Sequence, residues 1–335
     1  MSRKTGFNHS HKKRNFGLGA KAPFAAKTAL RHMYGHNDHY QTRAAHHQRF
    51  RHFLDWLSKL DTPIKDLRKV TLEMVEQYAG DVAKSVKHNQ MTVAYAQNLL
   101  STINIVMLAA RRDRAIWLSP SNAVGARSYI RTIIPDATDE KIEMAVRLAE
   151  ESGNHRGAAL IIMSRAFGLR LREASLADLF RLQQEAEAFG EVQILDGTKG
   201  GRKSSNRTVA MGSRQYDALK YAMNTISEKA DCLVDTNASY KEFISQCINP
   251  MSKSLKQAGI RCPHDLRAER LIERYEEESG QAAPVKQDGS PFDRDADLKG
   301  RKAVQKESGH GRISVAPSYV GKRHRKSTNK QQGAE

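Results

Sequence analysis

Apolar residues recur at helical spacing over the first third of the chain. Between Phe50 and Leu57 they fall at positions i, i+3, i+4 and i+7, which predicts a helix over roughly 41–59. Thr71 offers an N-cap to a second helix, and a third is predicted over about 91–112. These helices predict a small α-helical bundle.

Beyond Pro135 the pattern is that of a larger domain. Residues 156–167 are apolar nearly all round, as expected of a buried helix. Short alternating segments around Val192 and Val209 flank a Gly/Ser-rich turn at 197–205, which predicts a β-hairpin. Further helices are predicted over roughly 139–151, 213–225, 239–258 and 265–279, with a last helical region after the polar stretch 280–295. The chain is therefore predicted to be mainly α with a small β-sheet.

Breaks in the pattern divide the chain into five parts. Residues 1–23 lack periodicity and are interpreted as a basic flexible arm, and Ser119 opens a linker that runs to about 134. The predicted divisions are an arm at 1–23, a helical domain at 24–118, a linker at 119–134, a mixed α/β domain at 135–320 and a basic tail at 321–335.

Charge is concentrated at the two ends. The 335 residues include 55 Lys and Arg against 37 Asp and Glu, a formal charge of +18. Residues 1–52 carry 11 Lys and Arg but only Asp38, and residues 321–335 carry five Lys and Arg against Glu335. Basic ends favour a polyanionic partner, because pairing with phosphates releases condensed counterions. An anionic membrane surface would attract the same ends, so charge alone does not choose.

Several classes of protein are disfavoured. The longest wholly apolar runs have six residues, far fewer than the ~20 that span a bilayer, and no apolar region follows the basic N-terminus as in a secretory signal. Cys232, Cys247 and Cys262 form no CxxC pair, which fits a reducing compartment. Eight of the 13 His residues lie in 1–52 without metal-ligand spacing. We therefore expect a cytoplasmic protein that has no membrane segment and no metal or cofactor.

Four short segments stand out by their order and spacing. They are Gly168-Leu169-Arg170-Leu171-Arg172-Glu173, Gly197-Thr198-Lys199-Gly200-Gly201, His264-Asp265-Leu266-Arg267, and Gly309-His310 with Tyr319 nine residues further on. This ordered set resembles the tyrosine recombinase, or phage integrase, family. In that family, a GLRxxE-like motif, a hairpin Lys, an HxLR motif and a GH before the nucleophilic Tyr follow one another in this order.

The resemblance implies an architecture and an activity. The helical domain would be a SAM-like core-binding domain, and the second domain would be the catalytic domain that clamps DNA with it. The activity would be site-specific recombination, in which a covalent phosphotyrosine conserves the energy of the cleaved phosphodiester bond. A prophage or other mobile-element integrase is favoured over a chromosome-dimer resolvase because of the basic arm and the stretch 280–295.

The resemblance also assigns roles to six residues. Tyr319 would attack the scissile phosphate and release a 5′-hydroxyl, while Arg170 and Arg267 would stabilise the phosphoryl oxygens. Lys199 would protonate the leaving oxygen. His264 and His310 would donate hydrogen bonds or move the nucleophile's proton, and the sequence does not say which does so. Glu173 is interpreted as a structural residue that supports the helix of Arg170.

The chain departs from the family pattern at four points, the first of which is Arg172, where the family more often has a small residue. Ala268 follows Arg267 where many members carry a second His, and Ser308 stands where Leu is usual. The 43 residues from Arg267 to His310 are nearly twice the usual gap, and the polar stretch 280–295 accounts for the excess. The motifs on both sides of that stretch are intact, so we expect an active enzyme.

The partners follow from the same resemblance. They are double-stranded DNA, a homotetramer on DNA and, in some systems, accessory DNA-bending or excision proteins. Two alternatives stay open: a catalytically inactive integrase-like DNA-binding protein, and a type IB topoisomerase-like enzyme that relaxes DNA without sequence choice.

Overall fold

The structure is a computed structural model, and it describes residues 9–198, 207–227, 229–286 and 292–322. The chain divides into two compact units, residues 1–128 and residues 129–335. Each unit has its own apolar core, and the second unit has a further cluster around its C-terminal helices.

The first unit is built of helices only, in the part that the structure describes. Its helices are α1 (Ala22–Tyr34), α2 (Tyr40–Ser58), α3 (Leu72–Lys87), α4 (Val93–Arg111) and α5 (Pro120–Val124), with short 3-10 turns at Arg14–Gly17 and Leu67–Lys69. The side chains of Thr71 and Thr92 accept backbone hydrogen bonds at the starts of α3 and α4. The predicted bundle is confirmed: α2 and α4 lie within about two residues of their predicted bounds and α3 begins after Thr71, whereas α1 was not predicted as a separate helix.

The α4 helix is the central helix of this unit. By length and composition alone it could cross a membrane, but 56% of its most apolar window is buried inside the protein. Nine of its residues are buried, among them Leu100, Ile103 and Met107. Its apolar composition is therefore explained by its place in the core of the bundle.

Residues 9–22 are folded, which corrects the expectation of a flexible arm. Phe16 and Leu18 are each only 1% exposed in the core of the unit. The backbone N–H of Asn15 donates to Asp66 Oδ1 at 2.8 Å, and the side-chain oxygen of Asn15 accepts from the N–H of Leu67 at 2.8 Å. These partners lie about fifty residues away, so no local pattern reveals them. Residues 1–8 of the predicted arm lie outside the described residues.

The first part of the predicted linker also belongs to the first unit. Pro120–Val124 form α5, and Val124 is buried in the core with residues of α3 and α4. Residues 125–138 then contain no helix or strand. The helix α5 is a single turn, too short for the apolar periodicity by which longer helices are recognised.

The second unit contains the two strands and the remaining helices. Its elements are α6 (Asp139–Glu151), α7 (His155–Phe167), α8 (Leu171–Leu176), α9 (Leu179–Phe189), β1 (Glu191–Gln193), β2 (Thr208–Ala210), α10 (Ser213–Thr225), α11 (Tyr240–Phe243), a π-helical turn (Ile244–Ile248), α12 (Asn249–Gln257), α13 (Pro263–Ser279), α14 (Arg294–Ser308), a 3-10 turn (Ile313–Val315) and α15 (Pro317–Val320).

The buried helix α7 lies at the centre of this unit. It contacts α6, α10 and α13, and ten of its thirteen residues are buried, as its all-round apolar sequence predicts. The predicted hairpin is confirmed: β1 and β2 pair antiparallel, with Val192 opposite Val209. The fold class is therefore the predicted one, mainly helical with a two-stranded sheet.

The predicted helix over 239–258 is divided by the π-helical turn Ile244–Ile248. Its apolar residues all face the core on either side of the turn, so the sequence pattern does not register the change of winding. The last helical region is α14 followed by α15, and both contact the long helix α13.

Candidate active site

Five of the six predicted catalytic residues lie in the part of the chain that the structure describes, and four of them are joined by hydrogen bonds. They are Arg170 before α8, His264 and Arg267 in the first turns of α13, His310 after α14, and Tyr319 in α15. Lys199 lies outside the described residues, so its place in the site stays a prediction.

The hydroxyl of Tyr319 lies between a guanidinium and an imidazole. Its Oη is 3.3 Å from Arg267 Nε and 3.2 Å from His310 Nε2. Because arginine can only donate, Tyr319 Oη accepts from Arg267, which leaves its own O–H free to donate to His310. The Arg267 guanidinium also lies 5.5 Å from the centre of the Tyr319 ring. Tyr319 is 4% exposed, so this arrangement lies under the protein surface.

Arg267 is fully buried and is held by the ends of two helices. Its Nη1 donates to the carbonyl of Gly168, and its Nη2 donates to the carbonyl of Ser308 at 2.7 Å. Gly168 caps α7 in the left-handed conformation, and Ser308 is the last residue of α14. Carbonyls at helix C-termini lack partners within the helix and carry partial negative charge, so they stabilise a buried cation.

Glu173 lies beneath the arginines and is 1% exposed. Arg207 donates to both of its carboxylate oxygens, at 2.8 and 3.0 Å, and Arg170 donates to it through Nη1 and through its backbone N–H. Burial alone would raise the pKa of Glu173, but the hydrogen bonds and charge of Arg207, together with the charges of Arg267 and Arg170, lower it to about 2. Glu173 is therefore ionised at neutral pH, and its contacts are those expected of a structural residue.

Arg207 belongs to the site although the sequence motifs do not include it. It precedes β2, is 2% exposed, and donates through Nε to the carbonyl of Glu307 at 2.9 Å. Arg207 stands two positions before Val209, which faces the core, so both side chains point to the same face of the strand. This alternation along the strand could have predicted that Arg207 is buried. The basic residues of the neighbouring turn sequence concealed it, because Arg207 looks like one more of them.

The buried cluster carries an excess of positive charge. Arg170, Arg207 and Arg267 contribute three guanidiniums, and Glu173 contributes one carboxylate. The side chain of Arg170 is 28% exposed, so it reaches the surface where the other two do not. A net charge of two positives at a partly open site favours an anionic ligand, and forked guanidinium donors match the geometry of phosphate oxygens.

His310 links Arg170 to Tyr319. Its Nε2 lies 3.3 Å from Arg170 Nη2 and accepts from it, again because arginine only donates. Partial burial and the positive charges of Arg170, Arg267 and Arg207 lower the pKa of His310 to about 4. At neutral pH His310 is therefore uncharged, with the lone pair of Nε2 directed towards the two donors.

His264 approaches Tyr319 from another side. Its ring centre lies 5.8 Å from that of Tyr319, and a large part of the residue is exposed. The neighbouring protein removes part of the water around the imidazole, and this lowers the pKa of His264. The positive charges of Arg267 and Arg131 lower it further. His264 is thus placed to contact a ligand at the surface above Tyr319, whereas His310 contacts the hydroxyl itself.

Among the described residues, no group of three or more His, Cys, Asp or Glu side chains is arranged to hold a metal ion. The cations of the described site are side chains of the protein. An arrangement of a shielded hydroxyl, an accepting imidazole and forked cations is suited to transfer of a phosphoryl group to the hydroxyl.

Comparison with known proteins gives a family match for part of the chain and several structures of similar fold. Residues 130–271 match the family model described as Integrase. Comparison with curated protein sequences found no match. Among solved structures, the chain is similar to the Tn1549 transposon integrase in complex with circular intermediate DNA, at 13% identity, a TM-score of 0.52, and coverage of 89% of this chain and 96% of that one.

A second structure of the Tn1549 transposon integrase, in complex with transposon right-end DNA, is similar at 15% identity with a TM-score of 0.53, and covers 89% of this chain and 95% of that one. At such low identity the likeness speaks for the fold, while the family match rests on residues 130–271. Residues 130–271 therefore match the integrase family, and the chain has the fold of the Tn1549 transposon integrase, mainly helical with a small sheet.

Proposed function

We propose that this protein is a site-specific DNA recombinase that cleaves and rejoins DNA through a 3′-phosphotyrosine on Tyr319, and that it integrates or excises a prophage or another mobile element. The supporting observation is the position of the Tyr319 hydroxyl between Arg267 and His310, above a buried cluster with two excess positive charges.

The residues of the site account for each bond and each proton of the proposed reaction. Tyr319 Oη forms a bond to the scissile phosphorus while the bond from phosphorus to the 5′-oxygen breaks, and Nε2 of His310 takes the hydroxyl proton. Lys199 supplies a proton to the leaving 5′-oxygen. The charge that builds on the phosphoryl oxygens is stabilised by Arg170 and Arg267, and rejoining runs the same steps in reverse.

Binding of DNA must open the site before this reaction. Tyr319 is 4% exposed and Arg267 is fully buried, so a phosphate cannot contact both while the described arrangement persists. The helix α15 has four residues and ends at Gly321, which adopts a φ of +84°. Because the backbone at a glycine can adopt more conformations than at other residues, we propose that α15 moves about Gly321 when DNA binds.

Partners and location follow from the proposed reaction. Double-stranded DNA is the substrate, and the Tn1549 integrase structures are themselves DNA complexes. Exchange between two duplexes takes four cleavages, so we propose a homotetramer on DNA, assisted in some reactions by accessory DNA-bending or excision proteins. The protein would act in the cytoplasm, at the nucleoid.

Covalent trapping tests the proposal. Duplexes tiled across the DNA on both sides of the gene would each carry one nick, so that the short cleaved strand diffuses away and the adduct persists. We expect an adduct that resists SDS on a defined subset of duplexes, and its loss in Tyr319→Phe, which keeps the ring but removes the nucleophile.

The alternatives give different results in the same assay. Binding to DNA without any adduct would show an inactive DNA-binding protein and overturn the proposal. Adducts on all duplexes alike, together with relaxation of an arbitrary supercoiled plasmid, would instead show topoisomerase-like activity.

A further inference from the structure

Arg131 connects three parts of the second unit that are far apart in sequence. It lies in the irregular segment 125–138 that leads into α6, and residues 125–129 of this segment are exposed. The Arg131 side chain, by contrast, is only 8% exposed. A long cationic side chain buried to this degree at the start of a domain requires a specific partner.

The partner is Asp265, at the start of α13. Arg131 Nη1 and Nη2 lie 3.3 and 3.2 Å from Asp265 Oδ1, and the Asp265 side chain is 3% exposed. Asp265 stands directly between His264 and Leu266 in the HxLR motif, so the bridge fixes the turn that presents His264 and Arg267.

The backbone of the same residue holds the nucleophile's helix. The N–H of Arg131 donates to the carbonyl of Pro317 at 2.9 Å, and Pro317 is the first residue of α15. One residue therefore joins the helix of Tyr319 to the helix of Arg267, and Pro317 stands only two positions before Tyr319.

We propose that Arg131 is a positioning residue of the active site, which holds the helix of Tyr319 in register with the helix of His264 and Arg267. Where it concerns catalysis, this inference rests on the proposed function. Its physical basis is that a hydroxyl displaced by about 1 Å from its line of attack can lose as much as ~100-fold in rate.

The chain offers a matched control at the same carboxylate. Arg261 also donates to Asp265, through Nε at 3.1 Å and Nη2 at 3.0 Å, but its side chain is 63% exposed. Within the part of the chain that the structure describes, these side-chain hydrogen bonds of Arg261 go to Asp265 and none goes to α15. Arg261→Ala thus removes hydrogen bonds to Asp265 but leaves both the Arg131–Asp265 bridge and the hydrogen bond from Arg131 to Pro317 intact.

The first readout needs no DNA. Tetranitromethane nitrates accessible tyrosines, and mass spectrometry of peptides from the free, full-length protein compares Tyr319 with Tyr275, which is fully buried in the same unit. In Arg131→Gln we expect nitration of Tyr319 to rise roughly tenfold while Tyr275 stays protected. Loss of the bridge to Asp265 frees the backbone of residue 131, whose N–H holds Pro317, and this favours local opening of α15. Arg261→Ala should leave Tyr319 as slow to react as in the wild type.

The second readout is the rate of covalent adduct formation on a nicked duplex that the wild type cleaves. We expect Arg131→Gln to be about tenfold slower at saturating DNA with unchanged DNA affinity, and Arg131→Lys, which keeps the charge but loses the fork, to fall between it and the wild type. Arg261→Ala should match the wild type.

Two outcomes would overturn the inference. One is equal Tyr319 nitration and equal adduct rates in Arg131→Gln and Arg261→Ala. The other concerns a variant that unfolds. If Arg131→Gln also exposes Tyr275, the milder variant Arg131→Lys is used instead. Nitration of Tyr319 in Arg131→Lys that is no faster than in the wild type then refutes the inference. A wild type that forms no adduct on any duplex contradicts the proposed function alone, since the nitration result stands independently.

Discussion

At the scale of single residues, Glu173 determines how the cations of the site are held. It accepts from Arg170 and Arg207 and lies 3.5 Å from Arg267 Nη1. A fully buried carboxylate of this kind compensates guanidiniums that would otherwise repel one another away from water. The motif pattern identified Glu173 as structural, and the contacts show which residues it supports.

Replacing Glu173 by Gln should therefore destabilise the protein strongly. The amide keeps the shape but leaves the buried guanidiniums uncompensated, for which we expect a loss of about 3 kcal/mol in the free energy of unfolding at pH 7. Urea denaturation followed by circular dichroism measures this. Glu143→Gln, at an exposed position of α6, is the matched control and should change little.

The wild type and Glu173→Gln should also differ in pH dependence. The pKa of Glu173 falls from an ordinary 4.5 to about 2 on folding, so its stabilising contribution is complete above pH 4.5 and is lost as the pH falls towards 2. The difference in stability between the two proteins should accordingly narrow below pH 4.5. A difference that stays constant down to about pH 2.5 would contradict the assignment of the charge to Glu173.

At the scale of elements, the turn after α14 places His310 in the site. Gly309 has a φ of +69°, and a Cβ at this position would lie 2.5 Å from Arg207 Cδ. The glycine is thus required twice, by the left-handed backbone and by the close approach of Arg207.

Gly309→Ala should cost more than a comparable change elsewhere. Gly280, at the end of α13, has a φ of +66° and no atom within 4 Å of an added Cβ, so Gly280→Ala measures the backbone strain of about 1 kcal/mol alone. We expect Gly309→Ala to lose clearly more stability than Gly280→Ala and to slow adduct formation, because Arg207 and His310 must shift. Thermal unfolding of both variants measures the losses of stability, and the trapping assay measures adduct formation. Equal losses of stability in the two variants would show that the crowding against Arg207 is relieved at no cost.

Helix and hairpin periodicity accounted for most elements but failed at particular places. The helices α7 and α10 were predicted to within one residue, α7 because its sequence is apolar nearly all round. The helices α1, α8 and α9 were not predicted as separate elements. The single turn α5 and the π-helical turn at Ile244–Ile248 were not predicted either, since neither alters the apolar pattern over a full helical repeat.

At the scale of the whole molecule, we expect the positive charge to favour a polyanionic partner, but it does not define a reaction. Most of the formal charge of +18 lies in residues 1–52 and 321–335. Some of the first group belongs to the folded unit, since residues 9–22 pack into it. The tail beyond Lys322 lies outside the described residues, and we propose that it exchanges between protomers on DNA.

Truncation after Gly321 tests this proposal. The cut falls just after residues held by the fold, since the carbonyls of Val320 and Gly321 accept from Val285 and Arg301. We expect weaker assembly of synaptic complexes in gel-shift experiments, with adduct formation on a single duplex retained. The salt dependence of DNA binding should also fall, by roughly 0.9 in log–log slope for each phosphate that the tail no longer neutralises. Replacing the tail's five Lys and Arg by Gln keeps the length of the tail and removes its charge, so it shows which of the two matters for assembly. Unchanged assembly of synaptic complexes after truncation would contradict the exchange of tails.

The sequence by itself determined the helical bundle, the buried helix, the hairpin, the preference for a polyanion, and the ordered motifs that include Arg170, His264, Arg267, His310 and Tyr319. These features are carried by periodicity, composition and short spacings, which are local properties of a chain. Tertiary structure alone decided that residues 9–22 join the core, that Arg207 and Arg131 contact the site, and that Tyr319 is shielded under the surface. Each of these depends on contacts between residues 34 to 186 positions apart, which no pattern along the chain encodes.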